Sequence, residues 1–311
     1  MKAGAVIGLD LGGTSVKAVS LTPAGDLLGQ DYESYGAERP GAFLEAVRGV
    51  LRRMESALGE RAGAVGISTP GVIDRDCRKV AYMPGRLEGL VGLDWGEALG
   101  REAVPVLNDA QAALLGETWR GAALGAANAI LLTLGTGVGG AVMVDGRLLR
   151  GQSGKAGHLG HVSLDPWGTP DVTGTPGSLE DAIGNHNIQA RTGGRFATTH
   201  DLVRAHEAGD AMATGIWLRS VGALAAAIIS FTNVLDPEVV IVGGGIATCG
   251  DTLFGPLREA VARGEWRVGG DPVRVVPAAL GDLAGACGAA RWALEAGTPN
   301  LERASGKFGP V

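Results

Sequence analysis

The strongest constraint on what this chain can fold into is an internal repeat. Residues 6–19, VIGLDLGGTSVKAV, align without a gap with residues 130–143, ILLTLGTGVGGAVM. Each copy is an apolar run that ends in glycines and returns as a second run. That is the pattern of two strands around a tight turn. A unit of this kind occurring once in each half implies two related α/β halves facing each other. The length of 311 residues is enough for two ordinary domains. With 45% hydrophobic and 19% charged residues, the chain belongs to the globular class and not the disordered one. The 53 glycines follow no period, which excludes collagen. They cluster at strand ends, where backbone can approach a ligand closely.

The rest of the chain fits this frame. Residues 6–9, 15–21, 64–68, 104–107, 130–134, 238–242 and 273–277 read as strands, with a further strand after the Pro23–Asp26 turn. Residues 40–58, 108–119 and 284–296 have helical spacing, as do segments between 180 and 235. Residues 151–180 are rich in glycine, proline and threonine and read as a long loop, and the tail from Gly297 as a frayed end. A small domain of residues 1–110 completed by roughly 293–311 is expected, with a large domain of 111–292. The apolar stretch 221–231 is half of a membrane span, so a buried helix is expected and no membrane partner. Cys77, Cys249 and Cys287 form no CxxC pair and the first apolar run is too short for a signal peptide, which points to a reduced, cytoplasmic setting. A net charge of −6 argues against a nucleic-acid partner.

Five motifs carry chemistry. Gly135-Thr136-Gly137-Val138-Gly139-Gly140 formally fits a dinucleotide fingerprint, but a strand-like run follows it where that fingerprint needs a helix. A hairpin with a bare glycine tip can instead present backbone N–H groups to phosphate. One such hairpin is equally an ordinary turn. Two, at Gly12-Gly13-Thr14 and at Gly135-Thr136-Gly137 with Gly139, suit a grip on a polyphosphate. Asp10 at the first has Thr133 as its counterpart at the second, one carboxylate for Mg²⁺ and one neutral hydroxyl. Asn108-Asp109 stands between a strand and a helix. The local sequence favours Asp109 as a helix cap, although a carboxylate at a strand end could take a proton from a substrate hydroxyl. Gly243-Gly244-Gly245 ends a buried strand and would let a flat adenine lie against backbone, or is simply a loop. His158 and His161 sit in a glycine-rich loop without the cysteines of a structural zinc site. Glu180 opens a helix, where an acid also suits the macrodipole. His186, His200 and His206 read as surface or capping residues.

In this order the motifs resemble the ROK family of repressors, open reading frames and sugar kinases, within the actin-like ATPase fold. The resemblance covers nearly the whole chain. It implies two ribonuclease-H-like domains around a central cleft, ATP with Mg²⁺ near Asp10, and transfer of the γ-phosphoryl group to a hydroxyl, the 6-OH, of a hexose or hexose derivative. It implies Asp109 as general base, Asn108, His161 and Glu180 as sugar contacts together with Pro70 and Gly71, and a homodimer. The chain departs from the family at three places. Many members carry a zinc loop, G-H-x₉-C-x-C-G-x₂-G-C-x-E; here the spacing survives, but the cysteine positions hold Asp171, Thr173 and Ser178. Neutral hydroxyls do not replace thiolates, so no zinc is expected and the loop would be stiffened by Pro166, Pro170 and Pro176. His158 stands where the family has Glu, and Tyr82 where it commonly has Asn. These changes alter donor and acceptor patterns toward the sugar, not toward ATP. A sugar-responsive regulator is the second class of hypothesis. No basic helix-turn-helix precedes the first strand, which argues against DNA binding. A catalytically weak sugar-binding protein and a polyphosphate donor are further alternatives; intact Asp10 and Asp109 argue against the first, and the triple glycine favours adenosine over the second.

Overall fold

The computed structural model describes residues 4–36, 39–83, 87–268 and 270–296. In chain order the elements are β1 (Val6–Leu11), β2 (Ser15–Leu21), β3 (Leu27–Ser34), α1 (Ala42–Leu58), β4 (Ala64–Thr69), β5 (Val72–Ile73), β6 (Val80–Tyr82), α2 (Trp95–Leu99), β7 (Val106–Asn108) and α3 (Asp109–Arg120). There follow β8 (Ala129–Leu134), β9 (Val138–Val144), β10 (Arg147–Leu148), α4 (Leu179–Ile183), α5 (Ile188–Thr192), α6 (Thr199–Glu207), α7 (Ala211–Leu235), β11 (Val239–Gly243), α8 (Asp251–Gly264), β12 (Arg274–Pro277) and α9 (Ala284–Ala296). The chain divides into two compact units, Met1–Arg120 with Asp282–Val311, and Gly121–Gly281. The boundaries therefore fall at 120/121 and 281/282 instead of 110 and 293. The reason is packing: α3 and α9 lie against each other, and α9 lies on β1 and β4, so both helices belong to the first unit. The tail from Gly297 lies outside the described residues.

The first unit is built on a five-stranded sheet in the order β3-β2-β1-β4-β7. β1 pairs antiparallel with β2 and parallel with β4, and β4 pairs parallel with β7. One face of the sheet carries Ile7, Leu9, Leu11, Val65, Ile67 and Val106 against α1, whose buried Phe43, Ala46, Val47, Val50, Leu51 and Met54 follow the spacing of one helical face. The other face carries Gly8 and Gly66. A Cβ at Gly8 would lie 1.8 Å from the Ala286 carbonyl oxygen, and one at Gly66 would lie 2.1 Å from that of Ala289. Glycine is thus what lets α9 approach this sheet at backbone distance.

The second unit has a five-stranded sheet in the order β10-β9-β8-β11-β12, with the same sequence of antiparallel and parallel pairings. Ile130, Leu132, Leu134, Val240 and Val242 form its core with α7 and α8. α7 is 25 residues long and apolar enough by length and composition to cross a membrane, which the stretch 221–231 alone did not suggest. Its Ile216, Trp217, Val221, Leu224, Ile228 and Phe231 are instead buried in this core. Gly184, Gly193, Gly194 and Gly209 interrupt the helical segments before it.

Strand pairing also corrects the register of the repeat. In the first hairpin the last pair is Leu11↔Val16, and in the second it is Leu134↔Val138. The gap-free alignment sets Val6 on Ile130 and Val16 on Gly140, whereas the strands set Val6 on Ala129 and Val16 on Val138; it is one residue off before the tip and, because the first tip is one residue longer, two residues off after it. Structurally β1 corresponds to β8 residue by residue, with the same burial along both strands. That register places Asp10 at the position of Thr133.

Candidate active site

In the first unit the carboxyl ends of the three parallel strands come together. The register Asp10↔Ser68 and Thr69↔Asn108 sets β1, β4 and β7 side by side, the place where open α/β sheets hold ligands. Asp10 Oδ1 accepts a hydrogen bond from Ser68 Oγ at 2.6 Å. Burial pushes the Asp10 carboxyl up to about 6; the Ser68 hydroxyl works against this, the charge of Asp109 adds to it, Lys17 opposes it and Asp282 adds again. Lys17 Nζ is itself paired with Asp282 Oδ2 at 3.0 Å. The two carboxylates offer hard oxygen atoms of the kind a divalent ion takes, although no group of three His, Cys, Asp or Glu side chains that could hold a metal stands among the described residues.

Asn108, and not Asp109, caps α3. Asn108 Oδ1 accepts from the Ala110 amide at 3.1 Å and the Gln111 amide at 3.4 Å, while its Nδ2 donates to the Gly71 carbonyl at 3.1 Å. The expectation that Asp109 is the cap is therefore corrected. The chain enters α3 one residue earlier, so the buried Asn108 takes the capping position and the exposed Asp109 begins the helix, with Oδ1 2.8 Å from the Ala110 amide. Gly71 has φ +104°, and a Cβ there would lie 2.9 Å from the Tyr82 carbonyl oxygen, so Pro70-Gly71 turns tightly against β6. Tyr82 pairs with Val72 across that ribbon, and the residue is 63% exposed. At the first hairpin tip, Gly13 has no atom within 4 Å of a built Cβ, and Gly13 and Thr14 are exposed. Tyr35, which sequence reasoning missed, ties this tip from behind: its hydroxyl donates to the Gly12 carbonyl and its amide donates to the Thr14 carbonyl at 2.9 Å.

In the second unit, Gly135-Thr136-Gly137 forms the equivalent tip, closed by the Gly135 amide donating to the Gly137 carbonyl at 2.9 Å. Gly139 pairs with Thr133 across the hairpin, and Gly243 pairs with Thr133 on the other side, so the triple glycine lies beside the tip. Gly244 has φ +86°, and a Cβ there would lie 2.4 Å from the Leu134 carbonyl oxygen. Glu180 Oε2 accepts the Val138 amide at 2.8 Å. A Cβ on Gly160 would lie 2.0 Å from the Val138 carbonyl oxygen. Glu180 and the short 3-10 helix Leu159–His161 thus reach one residue of the hairpin, at its amide and at its carbonyl. His158 Nδ1 lies 2.9 Å from the Lys155 carbonyl oxygen, within its own loop.

Two side chains here have partners that the sequence did not reveal. His186 Nδ1 is 2.9 Å from the Thr136 carbonyl oxygen and Nε2 is 2.9 Å from Asp181 Oδ1, so it bridges the glycine tip to α4. Burial disfavours its charged form, but Asp181 and the Thr136 carbonyl outweigh this and hold it above the usual imidazole range. The other is Asp171, whose side chain is fully buried and whose Oδ2 is 2.8 Å from His161 Nδ1.

The profile of the ROK family matches residues 6–296. The chain belongs to the ROK family. It is 34% identical over 286 residues to a glucokinase of Thermotoga maritima, an alignment covering 82% of this chain and 86% of that protein. Among solved structures it resembles a ROK hexokinase of Thermus thermophilus, with a TM-score of 0.84 at 33% identity over 94% of this chain and 98% of the other. A ROK glucokinase of Streptomyces griseus, in complex with glucose and AMPPNP, gives a TM-score of 0.76 at 26% identity over 94% of this chain and all of the other. The fold is the actin/hexokinase type of these ROK sugar kinases.

Against the ROK zinc loop, the donor set of this chain does not fit zinc. Asp171 is committed to His161 and, through Oδ1, to the Thr173 amide at 2.8 Å, the Thr173 hydroxyl at 2.7 Å and the Thr175 amide at 3.0 Å. Ser178 Oγ caps α4 by accepting the Asp181 amide at 3.2 Å. The loop is not structureless either. Pro170↔Pro176 and Ser163↔Ser178 pair as isolated bridges, so hydrogen bonds as well as prolines hold it.

Proposed function

We propose that this ROK-family carbohydrate kinase transfers the γ-phosphoryl group of ATP to the 6-OH of a hexose or hexose derivative, with Asp109 as general base. The observation that carries the reading is the position of Asp109: Asn108 accepts the Ala110 and Gln111 amides as the cap of α3, and the Asp109 carboxylate stands exposed on the first turn, at the end of a parallel strand. A carboxylate there can accept the hydroxyl proton as the sugar oxygen bonds to the γ-phosphorus and the bond to the ADP oxygen breaks.

The glycine tips at Gly12, Gly13 and Thr14 and at Gly135, Thr136, Gly137 and Gly139 would present backbone to the phosphates, and Gly243, Gly244 and Gly245 to adenosine. Asp10 would hold the Mg²⁺ that accompanies the nucleotide, which when bound neutralises phosphate charge. Pro70, Gly71, Tyr82, Asn108, His158, His161 and Glu180 would contact the sugar. The glucose and AMPPNP bound to the Streptomyces griseus relative support the substrate classes, and the acidic charge balance supports a small-molecule partner over nucleic acid. The family resemblance supports a homodimer.

The test is a panel of hexoses and N-acylhexosamines with ATP and Mg²⁺, reading ADP release and locating the phosphate in the product by NMR. Turnover that needs ATP, Mg²⁺ and a sugar together, with the phosphate on O6, is expected. No turnover with any sugar, despite sugar binding, would leave a regulatory binding protein. Turnover with polyphosphate but not ATP would overturn the choice of donor.

A further inference from the structure

We propose that Asp171 sets the tautomer of His161, so that His161 Nε2 accepts a hydrogen bond from a sugar hydroxyl. This rests on the reading above that His161 contacts the sugar. The Asp171 side chain has no exposure, while His161 keeps 26% of its side chain accessible. An ionised carboxylate can only accept hydrogen bonds, so the nitrogen that faces it must carry a proton. Asp171 is held ionised: burial alone would raise it, but His161, the Thr173 hydroxyl and the Thr173 and Thr175 amides outweigh burial and hold it well below the usual carboxylate range. With Nδ1 protonated, Nε2 of the neutral ring has a lone pair and no proton.

The consequence is an inversion of polarity relative to a metal loop. A metal ion on Nδ1 would occupy the lone pair there and leave the proton on Nε2, making it a donor. In this chain a carboxylate at one of the cysteine positions of that loop stands on Nδ1 and makes Nε2 an acceptor. The neighbouring anchors hold the ring where this matters. Gly160 lies on the Val138 carbonyl, and the Leu179 amide donates to the Val162 carbonyl at 3.0 Å, which closes the base of the loop between His161 and Glu180. Asp171 touches no reacting atom; it is a positioning residue.

Asp171→Asn separates this role from a merely structural one. Three donors converge on Asp171 Oδ1: the Thr173 amide, the Thr173 hydroxyl and the Thr175 amide. The amide oxygen of asparagine must occupy that place, which turns its NH₂ toward His161 Nδ1. That NH₂ donates, so the ring proton moves to Nε2 with the geometry conserved. The logic is that of a triad in which the buried partner fixes the tautomer.

The first measurement uses the unaltered protein. Long-range ¹H–¹⁵N spectra of histidine-labelled protein should show His161 with a protonated Nδ1 and an unprotonated Nε2; the reverse pattern overturns the proposal without any variant. In Asp171→Asn the pattern should invert. The KM for sugar should rise about tenfold, since the hydroxyl that donated to Nε2 must turn to accept from it and gives up its own acceptor contact. The KM for ATP should stay within about twofold, because the hairpin tips are untouched. His161→Ala tests the underlying reading separately. If it leaves the sugar KM unchanged, the sugar contact fails and the proposal falls with it. If it raises the sugar KM while Asp171→Asn does not, the contact stands and only the role of Asp171 is overturned.

Discussion

The two hairpins occupy equivalent places in two sheets of the same strand order, yet they are held and charged differently. The first ends in Asp10, whose carboxyl burial raises to about 6, and Tyr35 ties its tip. The second ends in Thr133, and its tip is tied by His186 and its second strand by Glu180. The glycines at the tips are the shared part. The asymmetry lies one strand position away and in the side chains that brace each tip. The sheets differ in the same way. Gly8 and Gly66 of the first correspond to Leu131 and Ile241 of the second, which are 1% and 0% exposed. A duplicated frame can thus keep its topology while one copy trades apolar side chains for a close helix and takes on the charged chemistry.

The sharpest way to break this comparison is to remove the charge from the first unit's strand ends. Asp109→Asn should lower turnover by about 10² or more, the scale of a lost general base, with sugar binding largely kept. Its melting temperature should barely change, because Asn108 carries the cap. Asn108→Ala should instead lose roughly 1 kcal/mol of stability from the helix end. Wild-type turnover in Asp109→Asn would return that residue to a structural role.

The difference between the sheet faces predicts opposite failures. Gly8→Ala should destabilise by about 1–3 kcal/mol through overpacking against α9. Leu131→Ala, at the corresponding position, should lose about 2–5 kcal/mol through a cavity. Urea denaturation of both variants checks this. A neutral Gly8→Ala would mean that α9 can withdraw without loss.

Asp10 offers a smaller effect with a definite sign. Its folded value near 6 lies above the ordinary 3.8. Between those values the folded chain holds a proton that the unfolded chain has released, so stability falls as pH rises through this window and the penalty is complete above it. Without ligands, Asp10→Asn should therefore melt higher than wild type above pH 6, and the gain should vanish as pH falls toward 3.8. Thermal melts across pH decide it. The same variant should lose Mg²⁺-dependent turnover, so its stability gain comes with a loss of function. A constant difference at all pH values would show that buried charge is not the cause.

The smallest expected effects concern the ties. Tyr35→Phe removes one hydrogen bond to the first tip, worth about 1 kcal/mol, and should raise the ATP KM by a few fold without changing the sugar KM. His186→Ala should do the same at the second tip, but more clearly at low pH. Its folded value lies above the ordinary 6.5, so its contribution is full below 6.5 and is lost as pH rises through the folded value. Equal effects of the two substitutions at every pH would erase the distinction between the two tips.

Much of this architecture was legible before any coordinates. The paired hairpins, the strand-end carboxylates, the strands through residue 277 and the helix at 284–296 follow from apolar periodicity and turn chemistry, which are local properties. The repeat's register was misread by one residue in the first strand, where apolar residues on either register look alike, and by two in the second, because an ungapped alignment cannot see that one tip is longer. The cap was assigned to Asp109 because Asp and Asn are both good caps and only the end of β7 decides which one is in place. Tyr35, Ser68 and His186 lie in no motif, and Asp171 stood out only as a lost cysteine position, not as a partner of His161. Each acts on a residue at least ten positions away, and no sequence pattern marks a single hydrogen bond across that separation.

The sequence by itself determined that the chain is two related α/β halves of the ROK family, with glycine tips and two carboxylates at strand ends. Those features depend on residue types at fixed short spacings. Tertiary structure alone decided that Asn108 and not Asp109 caps α3, that Asp10 is raised by burial, that α9 touches β1 through Gly8, and that a carboxylate stands on His161 Nδ1. Burial and hydrogen-bond polarity depend on what the rest of the chain brings alongside. That is set by strand register and helix packing, and not by the neighbours of a residue along the chain.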